Sequence, residues 1–280
     1  MNRTIKKVLR TLQSEFPFLK EAKDSLYFHG RRLLRIPHEN DFAAIGLIPS
    51  TSQGCFIDVG ANHGQSIESI LLFRPDAQIV SFEANPGLAQ KLEKRYRNRK
   101  NIRIHPYGLA DAAGRFTLFV PSYKGFVYDG LASFDEASAI SWISEKTVLN
   151  FKPDKLQVTQ VACMADTLDA QQLAPIFIKV DVQGFEYNVL QGGRQTLLQY
   201  EPILLIEDLR SDARTLSLAN ELGYEEYYYN GVRLLKGSAS ASPNSFLMTQ
   251  DRAQTLNYAT AEEERTLDYL AQNLGTTPSS

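Results

Sequence analysis

The sequence predicts an α/β fold, a mostly parallel sheet covered by helices. Three observations predict it. Short apolar runs at 55–59, 78–82, 176–180 and 203–206 alternate with segments whose apolar residues recur at helical spacing, such as Ile67, Ile70 and Leu71. The run Ile203-Leu204-Leu205-Ile206 is apolar without a break, which suits a strand covered on both faces. The stretch Phe56 to Ser66 reads as a buried strand, a glycine-bearing turn and a helix start, a corner that places backbone N–H groups beside a crevice.

That corner carries the first motif. Gly60 and Gly64 allow backbone angles and close approach that a Cβ resists. A dinucleotide fingerprint needs G-x-G-x-x-G, but Asn62 stands at its second glycine and Gln65 is not glycine. The second glycine lets the chain approach a pyrophosphate, so its loss argues against a nicotinamide cofactor. An acid on the strand, Asp58, followed by Gly60-x-x-x-Gly64 resembles the first motif of S-adenosylmethionine-dependent methyltransferases.

Composition narrows the class. A chain of 280 residues supports one large domain, or a domain with arms. Net charge of −2 gives no electrostatic case for nucleic acid or a membrane surface. The two cysteines, Cys55 and Cys163, lie in strand-like runs and read as buried thiols of a reducing compartment. No apolar run of about 18 residues exists, so no membrane span is expected. The basic start lacks the apolar stretch of a signal peptide, and the expected location is the cytoplasm.

The elements follow in order. Residues 1–50 read as a helical N-terminal arm or cap, with helices over 5–16, 24–34 and 41–46. Arg31, Arg32, Arg35 and His38 are read as a solvated basic face in preference to an anion site. Residues 51–236 read as the main domain. Its second strand ends at Glu83, about 20 residues after the turn, where an acid accepts hydrogen bonds from ribose hydroxyls. Asn85-Pro86 starts the next helix. The basic run over 91–103 lacks interleaved aromatics apart from Tyr96 and reads as a solvated helix face. Asp111, just after the third strand, is a candidate partner for an adenine amino group, or a turn former. Residues 115–120 and 157–163 read as extra strands, and 165–169 as a helix opening. Between those strands, 121–155 is rich in aromatics punctuated by Pro121, Gly125 and Gly130, and reads as a lid or substrate-binding insertion. Asp181 ends the fourth parallel strand on the rim shared by Asp58 and Glu83. Residues 211–222 read as a helix, and Asn230-Gly231 marks an antiparallel terminal hairpin. Residues 237–280 read as a C-terminal loop and helix.

Four blocks, in order, resemble the FkbM family of methyltransferases. They are Asp58-Val59-Gly60-Ala61-Asn62-x-Gly64, Phe82-Glu83-Ala84-Asn85-Pro86, Gly108-Leu109-Ala110-Asp111, and Ile178-Lys179-Val180-Asp181-Val182-Gln183-Gly184-x-Glu186 with Val189, Leu190 and Gly192. The resemblance covers about 54–208 and implies a Rossmann-like class I methyltransferase fold. It also implies S-adenosyl-L-methionine as methyl donor and O-methylation of a hydroxyl on a sugar, glycolipid or secondary metabolite. Where the family more often has Glu, this chain has Gln183.

Methyl transfer to a hydroxyl needs positioning, water exclusion and removal of a proton. Asp181 is the expected base or orienting group, with His63 a second candidate. Asp58, Gly60, Asn62, Gly64, Glu83 and Asp111 are the expected cofactor residues. A divalent cation is compatible but not implied; Asp181, Glu207 and Asp208 form the minority metal option. The expected partner is a small-molecule or glycan acceptor. The alternatives are a nicotinamide-dependent oxidoreductase and a non-catalytic S-adenosylmethionine-binding protein.

Overall fold

Successive side chains leave a strand on opposite faces, so an unbroken apolar run is stable only where both faces are covered. In chain order the strands are β1 (Cys55–Val59), β2 (Ile79–Phe82), β3 (Ile102–His105), β4 (Gly108–Leu109), β5 (Gly114–Tyr123), β6 (Phe126–Val127), β7 (Leu156–Asp166), β8 (Pro175–Val180), β9 (Ile203–Glu207), β10 (Tyr224–Tyr229), β11 (Leu234–Lys236) and β12 (Asn244–Thr249). Among the described residues the helices are α1 (Gln65–Phe73), α2 (Pro86–Tyr96), α3 (Glu136–Ser141), α4 (Glu186–Gln191), α5 (Arg194–Tyr200) and α6 (Ala213–Glu221), and 250–256 is helical as well. The computed structural model describes residues 36–141, 143–238 and 242–256, with Gly30 and Leu34. The helices expected over 5–16 and 262–274 lie outside the described residues, as does nearly all of that over 24–34. The short helix expected over 41–46 is a 3-10 helix, Asn40–Leu47. The helix expected to open at 165–169 is a single 3-10 turn, Asp169–Gln171.

The main sheet runs β11-β10-β12-β9-β8-β1-β2-β3. Strands β3, β2, β1, β8 and β9 are parallel. The chain steps outward from β1 to β3, then returns on the other side of β1 as β8. Strand order therefore reverses between β1 and β8, where open parallel sheets bind ligands. The architecture is Rossmann-like, with an antiparallel edge: β12 pairs with β9 and β10, and β11 with β10. Asn230 accepts from the N–H groups of Val232 and Arg233 at 2.9 Å and closes the β10–β11 turn.

β12 corrects the expectation that the sheet ends by residue 236 and that 237–280 is loop and helix. All of β12 is buried, inserted between β9 and β10. Its apolar core is only Phe246-Leu247-Met248 and follows a Ser/Ala/Pro-rich loop. Local pattern does not separate so short a run from the loop; its burial comes from the two strands it joins.

Alternation sorts the side chains into two cores. Phe56, Ile79, Phe177, Leu205 and Phe246 face one way, against Ile67 and Ile70 of α1, Leu92 of α2, and Phe42 and Ile45 of the 3-10 helix. Ile57, Val80, Ile178, Leu204 and Leu247 face the other, against Val189 of α4, Leu197 of α5 and Leu218 of α6. Each such aliphatic or aromatic side chain contributes about 1.5–3 kcal/mol by leaving water. The result is three layers with the 3-10 helix and α1 on the face that carries the site.

A second sheet, β4-β7-β5-β6, stands beside the first. β5 and β7 pair antiparallel from Gly114↔Ala165 to Tyr123↔Leu156. The extra strands expected over 115–120 and 157–163 are thus one long ribbon, and 121–155 is the excursion at its end. That excursion has its own small core of Tyr123, Ile143 and Val148, with Phe151 stacked on Tyr123 at 5.3 Å.

Candidate active site

The parallel register sets Asp58 of β1 opposite Ser81 of β2 and Lys179 of β8. All three point to the face covered by α1 and the 3-10 helix, because they share parity with Phe56, Ile79 and Phe177. A polar row thus crosses the carboxyl end of the parallel strands. Asp58 is fully buried, and Ser81 donates to its Oδ2 at 3.1 Å. The Lys179 Nζ lies 3.7 Å from Asp58 Oδ1 and 3.2 Å from Asp181 Oδ2, and donates to the Gly60 carbonyl at 3.0 Å. Buried charges persist only when paired. Burial alone would lower the Lys179 pKa, but the carboxylates of Asp181 and Asp58 hold it above its ordinary value.

Asp181 follows β8 and donates its N–H to Val59 O at 3.1 Å, which docks it against the end of β1. The approach is close: a Cβ on Gly60, whose φ is +81°, would come within 1.9 Å of Asp181 O. Burial would raise the Asp181 pKa. Lys179 and hydrogen bonds from Glu207 and Gln183 outweigh it and hold the carboxyl below the usual range. The Gln183 Nε2 donates to Asp181 Oδ1 at 2.7 Å. Glu207, at the end of β9, is pushed up to about 9 by burial, by repulsion from Asp181 and by their hydrogen bond. Near neutral pH Glu207 keeps its proton and donates it to the Asp181 carboxylate.

The loop that presents Gln183 is itself held from below. Glu186 Oε1 accepts from the N–H groups of Val182 and Gly184 at 3.3 and 3.2 Å. Glu83 does the same for the first turn. Its Oε2 accepts from Asn62 N–H at 2.6 Å and its Oε1 from Asn85 N–H at 2.8 Å. Burial raises its pKa, and these two hydrogen bonds oppose the rise.

Two cavities meet over this rim and share Gly60, Asn62, Gly130, Asp181 and Gln183. The larger, about 330 Å³, extends past Gln65 and Ser66 to Glu39, Glu207 and Asn244. The narrower lies over Glu83, Gly108, Leu109 and Phe134. The excursion at 121–155 forms their outer wall. Gly130 packs on Asn62, Ser133 Oγ donates to Gln183 O at 2.7 Å, and Asp129 Oδ2 lies 3.3 Å from His63 Nε2. Phe134 meets Phe185 edge-on at 4.9 Å.

The expected site residues divide accordingly. Asp181, Gly60, Asn62 and Glu83 line the cavities. Asp58 lines neither; it is wholly buried beneath Lys179. Gly64 lines neither; with φ +86° it caps α1, and Tyr96 and Leu92 of α2 pack against it. His63 turns to Asp129 and lines neither cavity. Asp111 is exposed and outside both cavities, and the preceding Ala110 N–H binds Asp166 O at 2.9 Å, continuing the β4–β7 pairing. Among the described residues no group of three or more His, Cys, Asp or Glu side chains is arranged to hold a metal ion. Lys179, Gln183 and Glu186 lie inside the fourth block, yet no role was read for them. A lysine within the apolar run 176–180 was the signal for the first.

The residues present fit S-adenosylmethionine. Asn62 Oδ1 is buried without a hydrogen-bond partner, and an ammonium group would supply the missing donor. Gln65 and Ser66 put the start of α1 on the larger cavity, where N–H groups suit a carboxylate. Gly108 lets Phe134 and Ala84 close on the narrower cavity, since a Cβ there would meet Phe134 at 3.0 Å and Ala84 at 3.2 Å. Glu83 lines the same cavity.

Residues 58–225 match the family described as Methyltransferase FkbM domain. The 2-O-methyltransferase NoeI of Sinorhizobium fredii is 26% identical over 144 residues, 50% of this chain and 58% of NoeI. Among solved structures, methyltransferase FkbM from Methylobacillus flagellatus aligns with 16% identity and a TM-score of 0.43, over 70% of this chain and 43% of that one. An S-adenosylmethionine-dependent O-methyltransferase from Thermotoga maritima aligns with 12% identity and a TM-score of 0.39, over 76% and 66%. The chain thus spans less than two thirds of NoeI and of the Methylobacillus protein. The match over 58–225 takes in more than half of the chain and all four motif blocks, and this protein belongs to the FkbM methyltransferase family.

Proposed function

We propose that this protein is an S-adenosylmethionine-dependent O-methyltransferase acting on a hydroxyl of a sugar, glycan, glycolipid or secondary metabolite. The observation that carries the reading is Asp181, a carboxylate kept ionised by Lys179 where the two cavities join. Glu83, Gly108 and Phe134 hold the adenosine part of the cofactor, and Asn62 with the start of α1 holds its methionine part. When bound, the cofactor supplies a methyl group on a sulfonium, already primed for in-line displacement.

What remains for the chain is orientation, dryness and one proton. Asp181 accepts a hydrogen bond from the acceptor hydroxyl and receives its proton during or after attack. Lys179 and Gln183 fix the carboxylate through opposite oxygens. The 121–155 excursion acts as a wall or lid that keeps water from the junction. The name of NoeI, a 2-O-methyltransferase, supports oxygen as the target.

The test is transfer of a labelled methyl group from S-adenosylmethionine to a pool of hydroxyl acceptors, with the product identified by mass spectrometry and NMR. A methyl ether is expected. Label found only on nitrogen, carbon or sulfur would reject the O-methyl assignment.

A further inference from the structure

The segment over 133–138 serves so far only as a cover. It meets the loop after β8 at three successive residues, Gln183, Gly184 and Phe185. Ser133 Oγ donates to Gln183 O at 2.7 Å, a Cβ on Gly184 would meet Ser138 Oγ at 3.0 Å, and Phe134 meets Phe185 at 4.9 Å. Ser133 is the anchored member of this set. It is buried, and its backbone is bridged to β5 in both directions: Ser133 N–H donates to Phe119 O at 3.1 Å and Phe119 N–H to Ser133 O at 2.8 Å. Its hydroxyl oxygen accepts from Asp135 N–H at 3.1 Å, which leaves the hydroxyl proton for Gln183.

The loop that it meets needs holding. Gln183 and Gly184 both have left-handed backbone, with φ of +52° and +91°. Glycine takes that conformation freely, whereas glutamine does so at a cost and relaxes from it unless its surroundings forbid. Glu186 ties the N–H groups of Val182 and Gly184, on either side of Gln183. Ser133 ties the Gln183 carbonyl between them. The Gln183 side chain in turn donates from Nε2 to Asp181 Oδ1 at 2.7 Å, while Lys179 Nζ lies 3.2 Å from Oδ2. A swing of the Gln183 backbone would release Oδ1, and the carboxylate would turn toward Lys179. Glutamine suits this place: its amide donates at every pH, whereas an ionised glutamate would only accept and would repel Asp181.

We propose that Ser133 is a positioning residue for methyl transfer, and that through Gln183 it sets the orientation of the Asp181 carboxylate toward the acceptor hydroxyl. This deepens the O-methyltransferase reading and rests on it. The covering segment thus does more than exclude water: it must be seated before Asp181 is aimed.

The first test needs no acceptor. The full chain, isotope-labelled in its glutamine side-chain amides, is loaded with S-adenosylhomocysteine and followed by NMR. The Gln183 amide is assigned by its loss in Gln183→Ala. In Ser133→Ala its exchange with water is expected to quicken about tenfold or more, while S-adenosylhomocysteine affinity stays within about twofold. Ser133→Thr, which keeps the hydroxyl, is expected to match the parent. The second test is turnover with an acceptor that takes label in the transfer experiment. Ser133→Ala should lower kcat about tenfold with the acceptor KM changed less than about twofold. In the Gln183→Ala background the same substitution should cost less than about twofold. An unchanged Gln183 amide or a normal kcat in Ser133→Ala overturns the proposal. A fall of equal size in both backgrounds does so as well, since Ser133 would then act on the cavity at large. Failure of every hydroxyl to take label rejects the O-methyltransferase reading, and a quickened Gln183 amide would still sustain the tie from Ser133 to Asp181.

Discussion

The rim at the β1–β8 switch point and the ribbon beyond β5 and β7 build the same pocket in different ways. The rim is set by the register of buried parallel strands: Asp58, Ser81 and Lys179 sit abreast because their strands do. The ribbon wall is set by a few contacts across a gap: Gly130 on Asn62, Ser133 on Gln183, Asp129 near His63. The rim buries its charges and must balance them. The wall covers the junction through contacts that open more easily than a strand pair. In the proposed reading, chemistry that depends on a fixed carboxylate belongs to the first region, and admission and closure to the second.

Substitutions in the rim are therefore expected to cost stability as well as activity. Lys179→Met leaves Asp58 buried without its partner, and a loss of about 3–5 kcal/mol in chemical denaturation is expected, with activity abolished. A variant of normal stability would mean that the buried row is not held by charge. Glu83→Ala removes the acceptor for Asn62 and Asn85 as well as the proposed ribose contact, and cofactor affinity should fall by about 2 kcal/mol or more in calorimetry. Unchanged affinity would move the ribose elsewhere.

Glu207 gives a pH signature. Its folded pKa, about 9, lies above the unfolded value, so its protonated form favours the native state at low pH. That contribution is complete below the unfolded value and is lost as pH rises toward 9. Glu207→Gln keeps a neutral donor to Asp181 at every pH. It should match the parent below pH 4.5 and be more stable by about 1 kcal/mol or more at pH 8. A stability gap independent of pH would show that Glu207 does not hold a proton.

The smallest effect is expected in the wall. Asp129→Asn should lower turnover only about threefold, the scale of one partly exposed polar contact, and hasten hydrogen exchange over 126–134 while β1 stays protected. Loss of protection in β1 as well would erase the distinction between the two regions.

Sequence alone showed the rim well and the wall poorly. Asp58, Glu83 and Asp181 could be placed on one edge because each closes or interrupts an apolar run, and strand period fixes where such residues go. The same pattern did not tell lining from support. Whether Asp58 faces ligand or Lys179 depends on which strand lies beside β1, a matter of topology. Asp111 looked equivalent to Glu83, yet it follows a strand paired with β7 and is exposed. Composition marked 121–155 as an aromatic insertion but held no sign that His63 would meet Asp129. The hydrogen bond from Asn244 to Glu39 was beyond any local signal.

The central claim is that Asp181 serves the acceptor and not the cofactor. Asp181→Asn keeps the shape and the neighbours and removes the charge. Turnover with a working acceptor and S-adenosylmethionine affinity are measured on the same preparation. The account expects kcat to fall about 100-fold or more with cofactor affinity changed less than about threefold. Near-normal turnover, or loss of cofactor binding in step with turnover, would contradict it.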